Sequence, residues 1–335
     1  MSRKPAILVT GGAGYIGSHT AKLLDARGYR PVVYDDLSSG HRGAARWGEF
    51  VLGDIRDAGQ LEKALVEHGI VAAIHLAGLI EVGRSVERPD LFYDVNVNGT
   101  RVLLDCLRRA GVRRLVFSSS AAVYGQDTAK PVGALIREDD PKSPASPYGE
   151  TKLAGERMIE AYCAAFGLSA IALRYFNAAG CDPAGAIGEA HRLETHLIPL
   201  AIDAALGRRG PLKVFGDDYP TPDGSCLRDY VHVEDLAEAH LAALEAEQPW
   251  GAFEALNVGA GRGHSVLEVV DAVGRAVGRP VPHMVAPRRP GDPPSLVADP
   301  GRARQRLDWR PRLSSLQQIV DTAAVWRKAP VFGLA

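Results

Sequence analysis

The chain has 335 residues, 46% of them hydrophobic and 24% charged. That composition excludes a disordered, collagenous or coiled-coil protein and leaves room for about two domains. Lys plus Arg total 39 and Asp plus Glu 40, a formal net charge of −1, so there is no overall basic field to recruit nucleic acid or an anionic membrane.

The predicted elements begin with Ala6–Thr10 (AILVT), a buried strand whose apolar run is too short for a signal-peptide core. Tyr15–Arg27 follows with helical spacing at Ile16, Leu23 and Leu24, then Pro31–Tyr34 and Phe50–Leu52 as strands and Leu61–Glu67 as a helix. Ala72–Leu76 is a fourth strand. Asp90–Ala110 reads as one long helix capped by Gly111, Leu115–Ser118 as a fifth strand, Tyr148–Phe166 as a helix ended by Gly167, and Ser169–Tyr175 as a sixth strand. This alternation predicts an α/β fold: a Rossmann doubly wound parallel sheet with a smaller C-terminal α/β substrate domain.

Beyond about residue 178 the pattern loosens. Helices are expected at Leu197–Leu206, Glu234–Ala246, Val266–Val277 and Leu316–Arg327. Nine of the 22 prolines lie from Pro280 onward, a density that predicts loops around a pocket. The expected division is 1–178 for the dinucleotide domain and 179–335 for the substrate domain, with segments such as 230–257 able to pack back on the first sheet. No stretch approaches the ~20 apolar residues of a membrane span. Cys106, Cys163, Cys181 and Cys226 lie far apart with no CxxC pair, so free thiols, no zinc site and a cytoplasmic location are expected.

Gly11, Gly14 and Gly17 form GxxGxxG between the first strand and the first helix. Glycines there permit the turn, the approach of a pyrophosphate and tight helix–strand packing, and the helix N-terminus attracts phosphate. Asp35 stands 18 residues after Gly17, at the end of the second strand. An acid there accepts adenosine ribose hydroxyls and repels a 2′-phosphate, which favours NAD over NADP. Asp54 and Ile55, after the third strand, fit the adenine edge, although Asp54 also suits a helix cap. Leu76, Ala77 and Gly78 offer close approach at the end of the fourth strand. His75 reads as a packed strand histidine, since it lacks metal-type partner spacing.

Tyr148 and Lys152 are i and i+4 on one helical face. A phenol with an ordinary pKa near ~10 is a poor base at neutral pH. A neighbouring ammonium and a cationic nicotinamide would lower that value. Ser120 ends the Ser118–Ser120 run, where its hydroxyl could hold a substrate hydroxyl against Tyr148.

The segments TGGAGYIGSH, NVNGT, FSSSAAVYG, SPYGETK and LRYFNAAG resemble the extended short-chain dehydrogenase/reductases of the NAD-dependent epimerase/dehydratase family. ETHLIPLA, KVFGDDYPTPDGSCLRDYVHVEDLA, NVGAG and APRRPGDPPSLVAD extend the likeness over nearly the whole chain and resemble its UDP-sugar epimerases. The resemblance implies reversible C4 inversion of a UDP-hexose through a 4-keto sugar, with bound NAD and a homodimer built on long helices. It implies Tyr148 as base, Lys152 as its partner and ribose anchor, and Ser120 as proton relay. Tyr15, Ile16, Asp35, Asp54 and Ile55 would hold the adenosine half and the pyrophosphate, with Leu76–Leu79 and Phe176 beside the nicotinamide. On the substrate, Asn177, Arg228 and Arg289 would meet the diphosphate, Leu197 and Lys213, Val214 and Phe215 the uracil, and Asp292 the uridine ribose.

Three positions depart from the family's pattern. Ile80 stands where many members have Lys, His196 where some have Asn, and Leu296 where a bulky Tyr is common. The smaller Leu296 leaves room near the hexose 2-substituent, so N-acetylated UDP-hexosamines are expected as possible substrates. Two other readings stay open. A dehydratase or decarboxylase of the same fold would need an acid beside the catalytic hydroxyl, which Ser120-Ala121-Ala122-Val123 does not supply. A non-catalytic NAD-binding protein need not keep Tyr148, Lys152 and Ser120 together.

Overall fold

The computed structural model describes residues 4–125, 130–289 and 292–333. In chain order the elements are β1 (Ala6–Thr10), α1 (Tyr15–Ala26), β2 (Arg30–Asp35), β3 (Glu49–Leu52), α2 (Ala58–Glu67), β4 (Ile70–His75), α3 (Val82–Glu87), α4 (Pro89–Phe92), α5 (Gly99–Arg109) and β5 (Arg114–Ser120). They continue as α6 (Pro147–Phe166), β6 (Ser169–Tyr175), β7 (Asn177–Ala179), α7 (Leu197–Ala205), β8 (Leu212–Phe215), β9 (Leu227–His232) and α8 (Val233–Glu245). The last are β10 (Phe253–Val258), β11 (Gly263–Ser265), α9 (Val266–Val277), β12 (His283–Ala286), β13 (Ser295–Leu296), α10 (Gly301–Leu307) and α11 (Leu316–Lys328).

Seven strands form one parallel sheet in the order β10-β6-β5-β4-β1-β2-β3. Every residue of β1 and β6 is buried. Such continuous burial is what a parallel strand covered by helices on both faces requires. One face carries a core of Leu8, Tyr34, Leu61, Leu103, Leu107 and Phe117, and the other a core of Val9, Leu24, Ile74, Ile171, Leu236 and Leu256. The order reverses between β1 and β4, so the ends of these strands form the crevice where this architecture binds ligands. The chain returns to the large sheet late, since β10 pairs with β6 from Phe253↔Ala170 to Val258↔Tyr175.

A four-stranded sheet is centred on β9, which pairs first with β11 and β13 and then with β7. β8 and β12 form a separate parallel pair. A second core of Ile198, Ile202, Val269, Val273, Ile319 and Trp326 lies beneath α7, α9 and α11.

The single helix expected over Asp90–Ala110 is corrected by the structure. Its first turn is α4, a π-helical segment spans Tyr93–Asn98, and α5 completes it. The wider turn places the Asn96 side chain, 5% exposed, toward the β4 end of the sheet.

Candidate active site

The glycine loop is shaped by contact. Gly11 has φ +70°, and a Cβ there would lie 2.6 Å from the Ala77 backbone nitrogen. A Cβ on Gly17 would lie 2.2 Å from the Gly11 carbonyl oxygen. Only glycine lets α1 sit this close to the loop and the loop this close to Leu76–Ala77. Helix α1 starts after Gly14 with no side-chain cap and no acid in its first turn. Its leading N–H groups thus face outward without competition, as a pyrophosphate requires.

Asp35 accepts the Ala13 N–H at 3.0 Å on one oxygen and the Leu37 N–H at 2.8 Å on the other. Burial pushes its pKa up while these two N–H groups pull it down. The carboxylate therefore pins the loop and keeps lone pairs for ribose hydroxyls. The glycines, Asp35 and the Leu76–Gly78 turn fit a dinucleotide such as NAD.

Other residues of the adenosine set are placed differently. The Tyr15 side chain is engaged elsewhere, its hydroxyl donating to the Gly180 carbonyl, so what Tyr15 and Ile16 offer at the start of α1 is backbone N–H. Asp54 is tied to Arg56, whose Nε lies 3.0 Å from one carboxylate oxygen, and Arg56 also holds Asp94 at 2.6 Å. The Ile55 side chain is core, lying against Gly99, where a Cβ would come within 2.5 Å of it. His75 is likewise internal, with Thr10 and Thr100 hydroxyls at 2.7 and 3.0 Å and a pKa lowered by burial to about 3.

The catalytic candidates meet where α6 starts beside the end of β5. Ser146 caps α6 by accepting the Gly149 N–H at 3.2 Å, and Pro147 occupies the first turn. A Cβ on Gly149 would lie 2.6 Å from the Ala122 carbonyl oxygen. That close approach brings Tyr148 beside Ser120, whose oxygen also accepts the Ala122 N–H at 3.2 Å. The other two serines turn away: Ser119 donates to Glu156, and Ser118 accepts from the Tyr175 hydroxyl.

In the protein alone, Lys152 is not among the groups that lower the Tyr148 pKa. Lys152 Nζ donates to the Ser118 carbonyl at 2.8 Å and lies 5.9 Å from the centre of the Tyr148 ring. Burial raises the Tyr148 pKa, and the Ser120 hydroxyl pulls it only partly back. Burial lowers Lys152 to about 8, against a smaller opposing pull from Glu156. Tyr148, Lys152 and Glu156 follow one another at i, i+4 and i+8. Glu156 is held by Arg174 through contacts of 2.8 and 2.6 Å, and Arg174 also donates to the Tyr124 hydroxyl at 2.9 Å.

Asn96 is a site residue that the sequence reading missed. Its Oδ1 accepts the Leu79 N–H at 2.8 Å, and its Nδ2 donates to the Leu79 carbonyl and the Thr151 hydroxyl, both at 3.1 Å. It clamps the Leu76–Leu79 turn to α6, next to Lys152. The only signal in the sequence is its place in NVNGT.

On the substrate side, Phe176 packs with Tyr124, Leu153 and Leu296. Leu296 is in register with Arg228, and Asn177 with Tyr230. Arg228 pairs with Asp292 and donates to the Pro293 carbonyl at 3.0 Å, rather than forming the surface bridge to Asp229 that its sequence neighbour suggests. Asp229 is buried and accepts N–H groups of Ala260, Gly261 and Ala298 at 2.8 to 3.1 Å. The Arg289 guanidinium stacks 4.0 Å over the Phe215 ring. Val214, 1% exposed, lies in β8, which pairs with β12. Leu197 opens α7, packed on the second core.

A family model described as the NAD dependent epimerase/dehydratase family matches residues 7–259. UDP-glucose 4-epimerase of Halalkalibacterium halodurans is 48% identical over 323 residues, covering 96% of each chain. The structure of UDP-glucose 4-epimerase from Brucella ovis in complex with NAD is 49% identical, with a TM-score of 0.90 over 99% of both chains. That from Bifidobacterium longum, in complex with NAD+ and UDP, is 35% identical, with a TM-score of 0.91 over 98% of this chain and all of the other.

Proposed function

The chain belongs to the NAD dependent epimerase/dehydratase family, and on that premise we propose that its own residues invert C4 of UDP-hexoses as follows. Tyr148 takes the proton of the 4-hydroxyl, with Ser120 holding that hydroxyl in line. NAD, held by the glycine loop, Asp35 and the Leu76–Gly78 turn, supplies reversible hydride acceptance at C4. Lys152 carries the positive charge beside the nicotinamide ribose. Arg228, Arg289 and Asp292 hold the nucleotide, with Asn177 at the diphosphate and Leu197 and Lys213–Phe215 at the base. A firm hold on UDP and a loose one on the sugar lets a 4-keto intermediate turn and present its other face.

The observation that carries this reading is the convergence of Tyr148, Ser120 and Lys152 at the end of β5, beside the Leu76–Gly78 turn that packs on the glycine loop. Tyr148 has a raised pKa in the protein alone, so the phenolate depends on the cationic ring of the cofactor, and proton removal is coupled to cofactor binding. UDP-galactose conversion by Tyr148→Phe is the test. Turnover should fall by about 10²–10⁴-fold, the contribution of a positioned proton-transfer group, and near-normal turnover contradicts the assignment.

Three finer readings accompany it. Leu296, small for a residue beside Phe176, leaves space for a 2-acetamido group, so UDP-N-acetylhexosamines are further substrates. A homodimer is supported by apolar residues left exposed on the helical side of the first domain, among them Val86, Tyr93 and Phe166; sedimentation as a monomer alone contradicts it. Four unpaired cysteines support a cytoplasmic location. No helix among the described residues is long and apolar enough to cross a membrane.

A further inference from the structure

The segment between β7 and α7 gathers four potential ligands that the reaction does not use: Glu189, His191, Glu194 and His196. One ligand atom from each lies within 4.8 Å of all the others. His191 Nδ1 is 3.2 Å from a Glu189 oxygen and 3.9 Å from Glu194 Oε2. His196 Nδ1 is 2.7 Å from the same Glu189 oxygen and 2.9 Å from Glu194 Oε1.

Hydrogen bonding accounts for one contact in the cluster, His196 Nδ1 with Glu194 Oε1 at 2.9 Å, and leaves the rest unexplained. Glu189 Oε1, His191 Nδ1 and Glu194 Oε2 are all buried with no hydrogen-bond partner. The Glu189 side chain is only 6% exposed, yet its inward oxygen, close as it is to two imidazole nitrogens, is outside hydrogen-bond geometry with both. Glu194 is oriented for the same purpose. Its Oε1 accepts the N–H groups of Thr195 and His196 at 2.8 and 2.9 Å and is hydrogen-bonded to His196 Nδ1 at 2.9 Å, while Oε2 faces His191 without a partner. Buried polar atoms left without hydrogen-bond partners, as Glu189 Oε1, His191 Nδ1 and Glu194 Oε2 are, cost free energy unless a cation meets them.

We propose that Glu189, His191, Glu194 and His196 form a closed structural site for a zinc ion. Imidazole with carboxylate suits Zn²⁺ rather than Mg²⁺ or Ca²⁺, which favour all-oxygen shells. A tetrahedron with bonds of about 2.05 Å has edges of about 3.3 Å; the two imidazole nitrogens lie 3.2 and 2.7 Å from the shared Glu189 oxygen, close to that edge, and 3.9 and 2.9 Å from the two different oxygens of Glu194, so Glu194 would present one of them to the ion. Two carboxylates and two neutral imidazoles balance the charge. His196, 41% exposed, gives the ion a way in. Four protein ligands leave no open position, so the ion does no chemistry on substrate. The His191 ring stands edge-on to Tyr15 at 6.3 Å, and His196 directly precedes Leu197. The ion would fix the segment that joins the glycine-loop side of the crevice to the base-binding side. The eight-residue spacing Glu-x-His-x-x-Glu-x-His is the pattern in the sequence, which the expectation of no metal passed over.

The test is metal content of the untagged holoenzyme, loaded with zinc and dialysed, together with the absorption spectrum after cobalt replacement. About one equivalent of zinc per chain is expected, with a cobalt spectrum of tetrahedral type lacking thiolate charge-transfer bands. Glu189→Gln combined with His196→Gln should weaken zinc binding by at least about 100-fold, beyond the usual cost of losing an outer-shell partner, while NAD content reports that the chain has folded. Zinc below about a tenth of an equivalent, thiolate bands that place cobalt on a cysteine, or undiminished zinc in a folded double variant would each overturn the proposal. If the double variant fails to fold, the stoichiometry and cobalt spectrum of the unaltered chain decide.

Discussion

Lys152 Nζ donates to the carbonyl of Ser118 at 2.8 Å, so the amine is anchored to strand β5 and not to the phenol four residues before it. Its folded-state pKa of about 8 lies below the ordinary 10.5. Below pH 8 both folded and unfolded chains hold the proton, and the cost of the buried ammonium is complete. Between 8 and 10.5 the folded chain releases it first, and stability from this group rises with pH. Cofactor-free Lys152→Met is therefore more stable than the unaltered chain at neutral pH, and the gap narrows over that window while turnover stays lost. Thermal unfolding of both proteins across the window checks this; a gap that widens with pH would show that the amine is not a buried cation.

Asn96→Ala removes three hydrogen bonds from a buried position and orphans the Leu79 backbone. A stability loss of about 1–3 kcal/mol is expected, together with weaker retention of NAD through gel filtration. Unchanged NAD content would mean that the Leu76–Leu79 turn holds its shape without the clamp.

Arg228 and Asp292 pair in the protein alone, and nucleotide binding has to share or part them. Arg228→Met should raise KM for UDP-galactose by about 10–100-fold, the worth of one or two charge-assisted hydrogen bonds, with NAD content unchanged. An equal loss of kcat with constant KM would instead place Arg228 at the reacting end.

How far these features can be read from the chain depends on their range. The glycine loop, Asp35 and the Tyr148–Lys152 spacing are local patterns whose physics is complete within one strand–loop–helix unit, and the sheet followed from the same alternation. Asn96 was not legible, because its role is a contact with Leu79 made possible by a π-helical turn. Nor was the partner of Arg228: Asp229 is its neighbour in the chain, but strand alternation sends Asp229 inward to three N–H groups and leaves Asp292, 64 residues on, as the group that Arg228 meets. The sequence reading allows 230–257 to pack back on the first sheet; which strand Phe253–Val258 joins rests on pairing with distant β6 rather than on any local period.

Leu296→Tyr should fill the space beside Phe176. Turnover of UDP-N-acetylgalactosamine should drop about tenfold or more, the discrimination a shaped pocket achieves against one extra group, while UDP-galactose turnover is spared. Equal losses on both sugars would separate Leu296 from the 2-substituent.

The most direct measurement is proton NMR of UDP-galactose mixed with the purified chain and no added NAD. The account predicts that UDP-glucose signals grow to a fixed ratio, with the cofactor carried by the protein and regenerated in each turnover. A spectrum that stays unchanged, both before and after NAD is supplied, would contradict C4 epimerisation of UDP-hexoses by this site.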